Sequence, residues 1–439
     1  MLYLNSTYGG NRIMQVKTIS ENNGVRTYQV EIKFTESMLE SEDIIQNSLN
    51  DLGTVATKDL LETFDTDGAP IIIGSEKWTS KGKTLKEYQT PYGVSTVERH
   101  IYQSKRGGKT FCPLEQKARI VTTSTPRFAK QISHKFAESA STQVQEDMKE
   151  NHNRDVARSY LQNVADAVGA AVEAKEEAWS YAPPETDKPI HKVGVGLDGT
   201  CMLLCKDGYR ETMVGTIALY DKAGERQHTT YIAASPEYGK ETFKTKLDRL
   251  IKEMQTRYPS AKFIGIADGA KENWAFLEQY TDSNTLDFWH ATEYLTKASH
   301  VIFPRKKKDR EVWLEEKCHE LKHKQGAAAR IMKEVKDFVE NNKVSKAQQT
   351  KADTFLTYFT NNKQRMNYGY KLKNNEPIGS GVTEAACKVI VKQRLCKSGA
   401  KWKDRGARAI LSLRTLRYSK TYWDQFWSKI GQYGFPMAA

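Results

Sequence analysis

"HKVGVGLDGTCMLLCKDG", residues 191–208, comes directly after "YAPPETDKP", residues 181–189. Three prolines among polar residues mark the earlier stretch as a linker. Beyond it the hydrophobic period changes to two, the spacing of a strand. Two further stretches, "YRETMVGTIALYDKAGE" and "RQHTTYIAAS", repeat that period and are set off by Asp-Gly and Ala-Gly turns. Together they predict three strands in an antiparallel meander. "KETFKTKLDRLIKEMQTRY" then places Phe243, Leu247, Leu250, Ile251 and Met254 on one helical face. A buried strand "AKFIGIADGA", a short helix "KENWAFLEQY" and a strand in "TLDFWH" complete the order βββαβαβ, which predicts an α/β core built on a mixed sheet.

Asp198 in "GVGLDGT" and Asp268 in "IGIADGA" each stand at the expected C-terminal end of a strand, each before glycine. A helical crossover returns the chain parallel to the first strand, so the two strands are expected to be neighbours. Adjacent strands lie about 4.8 Å apart, close enough for two carboxylates to share a metal ion. Gly194 and Gly196, on the face of Asp198, leave room for close packing. The plain alternative is that aspartate before glycine only turns the chain.

A third carboxylate would complete a site for two Mg²⁺ or Mn²⁺ ions. Glu384, in "EPIGSGVTEAACKVIVKQRLCKSG", residues 376–399, follows a Gly-Ser-Gly turn and precedes a run of cations. It could instead cap its helix, although Ser380 lies four residues back rather than three, or pair with Lys388. On a helical wheel Val382, Ala385, Ala386, Val389 and Ile390 form the expected buried stripe, with Glu384, Lys388 and Lys392 opposite.

The chain has 439 residues and a formal net charge of +13, which favours a polyanionic partner. Between 388 and 420 eleven lysines and arginines face one acid, Asp404. Lys388, Lys392, Arg394, Lys397, Lys401, Lys403, Arg405 and Arg408 are therefore candidate DNA contacts, with Trp402 able to stack on a base or to serve as core. A neutral sugar substrate for paired carboxylates gives that tract no use. Six cysteines without a C-x-x-C pair fit a reducing compartment. Cys318, His319 and His323 lack a second zinc-ligand pair. No apolar leader or run of about 18 apolar residues occurs, so a cytoplasmic, nucleoid-associated protein without membrane contact is expected.

The chain reads as an α+β region (1–118) with hairpins in 16–34 and around Arg106–Lys109, and one helix near Thr57–Thr63 between them. "FDTDGA" there reads as a turn rather than a calcium loop. A helical region (119–180) opens at Thr125-Pro126 and suits a helix-turn-helix DNA reader, with Arg154 and Arg158 off its apolar stripe. An ordinary helical bundle fits as well. The linker (181–190), the first part of the core (191–295), a charged helical insertion (296–375), and the second part of the core with a basic tail (376–439) follow.

"LDGT", "ADGAKENW", "DFWHATEYL", "IGSGVTEAACK" and "SGAKWKDRGARAILSLR", in that order, resemble the bacterial insertion-sequence transposases of the ISKra type, related to the Mutator-like group. The resemblance covers roughly residues 90–420. It implies an RNase H-like catalytic core interrupted by a helical insertion, with Asp198, Asp268 and Glu384 as a metal-binding Asp-Asp-Glu triad. It also implies that Asp287 and His290, as D-x-x-H, orient ligands or DNA. The implied partners are DNA, as terminal inverted repeats and target, and further copies of the chain in a dimer or larger assembly. The implied activity is metal-dependent end cleavage and strand transfer. An RNase H-like nuclease or resolvase without strand transfer, and a retired transposase acting as a DNA-binding protein, are the alternatives.

Overall fold

The computed structural model describes residues 16–237 and 239–435; the N-terminal "MLYLNSTYGGNRIM" lies outside them. The chain is mixed α/β and divides into two units, one ending at Tyr181 and resumed from Asp424, the other running from Ala182 to Trp423. The first boundary falls inside the proline-rich linker. The return of the last residues to the first unit is a departure from the expected tail of the core.

In the first unit, β1 (Val16–Asn22) and β2 (Val25–Val30) pair antiparallel around Asn23-Gly24, the hairpin expected there. α1 (Met38–Glu62) is far longer than the helix expected near Thr57, and Ser37 caps it by accepting from Glu40 N. Strands β3 (Ile71–Ile73), β4 (Glu76–Gln89) and β5 (Val94–Ser104) form a second sheet. Here the expected hairpin about Arg106–Lys109 is corrected: β5 pairs upstream with β4, and only the bridge Tyr102–Phe111 follows the glycines. Only one residue of β4 is fully buried, so its sequence carries little apolar alternation to announce it. The "FDTDGA" loop is a turn, with Asp65 bound to His100 Nδ1 at 2.9 Å. Helices α2 (Pro113–Lys117), α3 (Pro126–Glu138), α4 (Ser141–His152) and α5 (Arg158–Lys175) follow. α3 begins with proline at its first position after Thr125, as the sequence indicates. Lys130 meets Asp424 at 2.7 Å and Trp179 packs edge-on to Phe426, holding the final segment.

The second unit contains β6 (Lys192–Leu204), β7 (Gly208–Tyr220), β8 (Arg226–Ala234), α6 (Glu241–Arg257), β9 (Lys262–Ala267), α7 (Lys271–Leu277) and β10 (Ser283–Leu286). The five strands form one sheet in the order β10-β9-β6-β7-β8. β6, β7 and β8 are antiparallel neighbours, whereas β9 runs parallel to β6 and β10 parallel to β9. The predicted apolar face of α6 is buried, with Phe243 and Leu247 against Gly215. Side chains alternate across a strand, so Thr216 and its register partner Gly196 look to the opposite side of the sheet.

A helical stretch follows as α8 (Phe288–Ile302), α9 (Lys307–His323), α10 (Ala327–Asn341), α11 (Lys346–Asn362) and α12 (Tyr368–Lys373). The chain then returns through α13 (Gly381–Ala386), a π-helical turn (Cys387–Lys392) and α14 (Gln393–Leu395), and continues as α15 (Asp404–Tyr418) and α16 (Thr421–Tyr433). Glu376 anchors the return, buried within 2.6 Å of Lys262 Nζ on β9. Among the described residues no helix is long and apolar enough to cross a membrane.

His228 on β8 is buried beside Tyr422, with Nε2 3.2 Å from Thr230 Oγ1. Burial, and secondarily the charge of Lys420, lower its pKa to about 4. The unfolded imidazole titrates near ~6.5. Between those values only the unfolded chain takes up the proton, so stability falls as pH drops through that window. The urea midpoint should decline from about pH 6.5 to pH 4, and His228→Phe should flatten that decline; an unchanged slope would refute the assignment.

Candidate functional site

Three aspartates gather where the parallel strands of the sheet end. The last paired residues of β6 and β9 are Gly196 and Ile266, and Asp198 and Asp268 each lie two residues further on. The last pair of β9 and β10 is Ala267 with Leu286, and Asp287 is the next residue after it. The parallel registers thus bring positions 198, 268 and 287 level across three neighbouring strands.

Asp198 is not at the end of its strand, as the sequence suggested. β6 continues to Leu204 because β7 pairs with it along its full length, and only the β9 side stops. Asp198-Gly199 is therefore no turn; the turn comes at residues 205–207. Asp268 is followed by a true turn, with Gly269 at φ +108°. Its carboxylate accepts from Ala270 N at 3.2 Å and Asn273 Nδ2 at 3.3 Å. The backbone carbonyl of Asp268 accepts from Tyr358 of α11 at 2.7 Å. A Cβ on Gly269 would stand 2.9 Å from that hydroxyl, so glycine permits the contact. Tyr358 in turn stacks on Tyr294 of α8 at 3.6 Å between centroids. The helical insertion thus reaches the strand end and braces it.

Glu384 arrives by a chain of specific contacts. Asp287 is fully buried and caps α8, with Oδ1 accepting from His290 N at 2.8 Å. Its Oδ2 accepts from Ser380 N and from Ser380 Oγ, the latter at 2.9 Å. Phe288 N donates to the Ile378 carbonyl at 3.0 Å, fixing the same return segment. Ser380 Oγ also lies 2.7 Å from Glu384 Oε1. A hydroxyl has one proton to give, so it serves one of these carboxylates at a time. No ion pair joins Glu384 to Lys388 among the described residues.

α13 seats against the sheet through a missing side chain. Thr383 Oγ1 contacts Thr216 Oγ1 at 2.8 Å, and a Cβ on Gly196 would lie 2.0 Å from Thr383 Oγ1. Of the stripe predicted on an α-helical wheel, Ala386 and Ile390 are buried, but Val382 and Val389 are only half-buried and Ala385 is exposed; Thr383, Cys387 and Val391 complete the buried face instead. The contact with Gly196 rotates α13, and the π turn carries the shifted face onward. Arg414 of α15, 1 % exposed, donates to the Val389 and Ile390 carbonyls of that turn.

Burial holds the Asp198 carboxyl above its ordinary range, and the charges of Asp268 and Glu384 push it the same way. Hydrogen bonds from Gly199 N at 2.7 Å and from the Cys387 thiol at 3.6 Å offset part of this. Asp198 therefore lies within electrostatic reach of both Asp268 and Glu384. The tightest ligand group among the described residues is a different combination: Asp287, His290 and Glu384 offer atoms all within 4.8 Å of each other and could hold a metal ion. Oxygen donors and one imidazole suit a hard or borderline divalent cation. The single Ser380 proton shared between Asp287 and Glu384 leaves a deficit of positive charge there that such an ion would remedy. Sequence reasoning placed Asp287 and His290 here by resemblance, but Ser380, Thr383 and Tyr358 carry no signal beyond their neighbourhood.

The proposed DNA contacts divide by exposure. Arg158, Lys388, Lys392, Lys397, Lys401, Lys403, Arg405 and Arg408 are exposed, and Arg408 pairs with Asp404 at 3.2 Å. Arg154 is buried, donating to Gln89 at 2.7 Å, and Arg394 is buried over the Trp402 ring. Trp402 donates to the Leu395 carbonyl and bridges to β6 at Leu203, so it is a packing residue. Burial leaves Arg154 and Arg394 no phosphate to reach, whereas Trp402 is half-buried. No known family model matches the chain, and no curated protein matches it in sequence.

Gly196→Ala should force Thr383 aside and cost about 1–3 kcal/mol, the usual range for overpacking. Removing the opposing hydroxyl as well, in Gly196→Ala with Thr383→Ala, should restore part of that stability. A strictly additive double-mutant cycle in urea would show that the two positions do not touch.

Proposed function

We propose that the chain is a metal-dependent DNA transposase with an RNase H-like core, of the kind the ISKra-type resemblance implies. The observation that carries this reading is the level placement of Asp198 and Asp268 on adjacent parallel strands, with Glu384 delivered to them from a helix more than a hundred residues later. The sheet order β10-β9-β6-β7-β8, three antiparallel strands followed by two parallel ones, supports the RNase H-like assignment.

Asp198, Asp268 and Glu384 would hold two Mg²⁺ or Mn²⁺ ions, with Asp287 and His290 adjoining through Glu384. Bound divalent cations supply charge neutralisation at a phosphodiester and acidify a water or terminal 3′-hydroxyl. The residues themselves position and do not form a covalent intermediate. Asp287 orients Ser380 and with it the start of α13; Tyr358 fixes the backbone of Asp268; Gly196 allows Glu384 to approach. The exposed cations of 388–408 run on from Glu384 and suit a phosphate track. DNA, as element ends and target, is the proposed partner, with a dimer or larger assembly expected if two ends are joined together.

Asp198→Asn should reduce Mg²⁺-dependent cleavage of an element end by about 10³-fold or more while leaving DNA binding in place. Persistent cleavage would sink the triad assignment. A pre-cut end incubated with target DNA separates a transposase from a nuclease or resolvase, since only the former joins the strands. Because the Asp198 carboxyl titrates above its ordinary range, proton and cation compete for it. The rise in melting temperature on adding Mg²⁺ should therefore shrink as pH is lowered from about 8 to about 5, and it should vanish in Asp198→Asn.

A further inference from the structure

Beside the acidic cluster lies an open surface depression lined by Phe288, Trp289, Ile378, Gly379 and Gly381, with Arg226 and Lys322 among its lining residues. Phe288 and Trp289 separate Asp287 from His290, and the glycines flank Ser380, so the depression shares its wall with the candidate metal ligands. Trp289 is 68 % exposed. An indole left in water immediately beside a cluster of carboxylates is not explained by packing. Its neighbour Phe288 is buried and meets Tyr368 edge-on, so the structural aromatic at this helix start is Phe288 and not Trp289. Arg226 is exposed and Lys322 half-buried, and neither forms an ion pair with a described residue.

These features belong together chemically. A flat aromatic face offers stacking to any nucleobase. Glycine backbone permits a close approach, and two cations at the rim, neither in an ion pair with a described residue and Lys322 lying 5.8 Å from the Phe288 ring, match a phosphate. Paired bases in a duplex have their faces covered by their neighbours, so only an unstacked base can use such a wall.

We propose that this depression is a subsite for one unpaired nucleotide of the DNA strand at the acidic cluster, its base stacked on Trp289 and its phosphate held by Arg226 and Lys322. The proposal rests on the phosphoryl-transfer reading for its substrate, and adds that the strand is engaged with a base out of the helix. Charge complementarity selects DNA over an apolar protein segment: the rim is cationic and the neighbouring tract from Lys388 to Arg408 is strongly basic.

The test uses the full chain with Ca²⁺ and two fluorescein-labelled probes of one mixed sequence, a single-stranded 16-mer and the same 16-mer as a duplex. Trp289→Ala should weaken single-strand binding about tenfold or more, with Trp289→Phe close to the parent and duplex binding unchanged. Arg226→Gln should weaken the single strand by a smaller factor and reduce the salt dependence of its binding. A single strand carrying 2-aminopurine should be quenched by the parent chain and not by Trp289→Ala. Unchanged single-strand affinity and quenching in a folded Trp289→Ala chain would overturn the proposal. Loss of self-association in that variant, with single-strand affinity retained, would also overturn it and assign the depression to a second copy of the chain. A chain that binds the single strand through Trp289 but never cleaves DNA with Mg²⁺ would keep the subsite and refute the transposase reading, so the two failures are distinguishable.

Discussion

Asp287 is a carboxylate with no exposure to water. Three donors make that tolerable: His290 N on one oxygen, Ser380 N and Ser380 Oγ on the other. Hydrogen bonds to a charged group contribute about 1.5–3 kcal/mol each, and any of them lost here would leave a buried acceptor unsatisfied. The contact joins the end of β10 to a segment 93 positions later. Everything between, α8 to α12, is free to be long because its two ends are tied at this one group. The direction of α13, and with it the position of Glu384, follows from that tie.

The rest of the site is a matter of letting like charges approach. Asp198 is lifted above its ordinary range by burial and, after it, by two neighbouring acids, so its charged form is disfavoured where it sits. Close packing enforces it. Gly196 opens the sheet face to Thr383, Gly269 opens the strand end to Tyr358, and larger residues would collide at 2.0 Å and 2.9 Å respectively. The helical stretch is thereby more than a spacer between the sheet and the helix that carries Glu384. Its Tyr358–Tyr294 stack supports the Asp268 backbone, and its Lys322 reaches the rim of the depression beside Trp289. The same elements that assemble the acids also shape the space in front of them.

Periodicity and local chemistry made much of this legible. The two-residue alternation after the proline linker, the apolar face of α6 and the buried run at β9 all appear in the sheet as expected, because each depends on residues a few positions apart. The pairing of β9 with β6 followed from the helical crossover. Local reasoning failed where a distant partner decided. Arg154 and Arg394 read as surface cations, yet each is buried on an acceptor or ring supplied from elsewhere. β4 showed too little alternation to be seen, because only one of its residues is fully buried, and the hairpin was drawn downstream of β5 in consequence. The stripe on α13 was misassigned because a threonine fits a vacancy left by a glycine on another strand.

By itself, the sequence determined the strand-and-helix order of the second unit, the candidate acids and the basic tract beyond Glu384. Those properties reside in spacing, charge and turn chemistry, which act over a few residues. Only the tertiary structure decided that Asp287 clamps Ser380, that Asp198 lies within a continuous strand, which cations face solvent, and that Trp289 stands over a depression next to the acids. Each of these depends on which surfaces exclude water from one another, and burial is a property of packed elements that no single stretch of chain possesses.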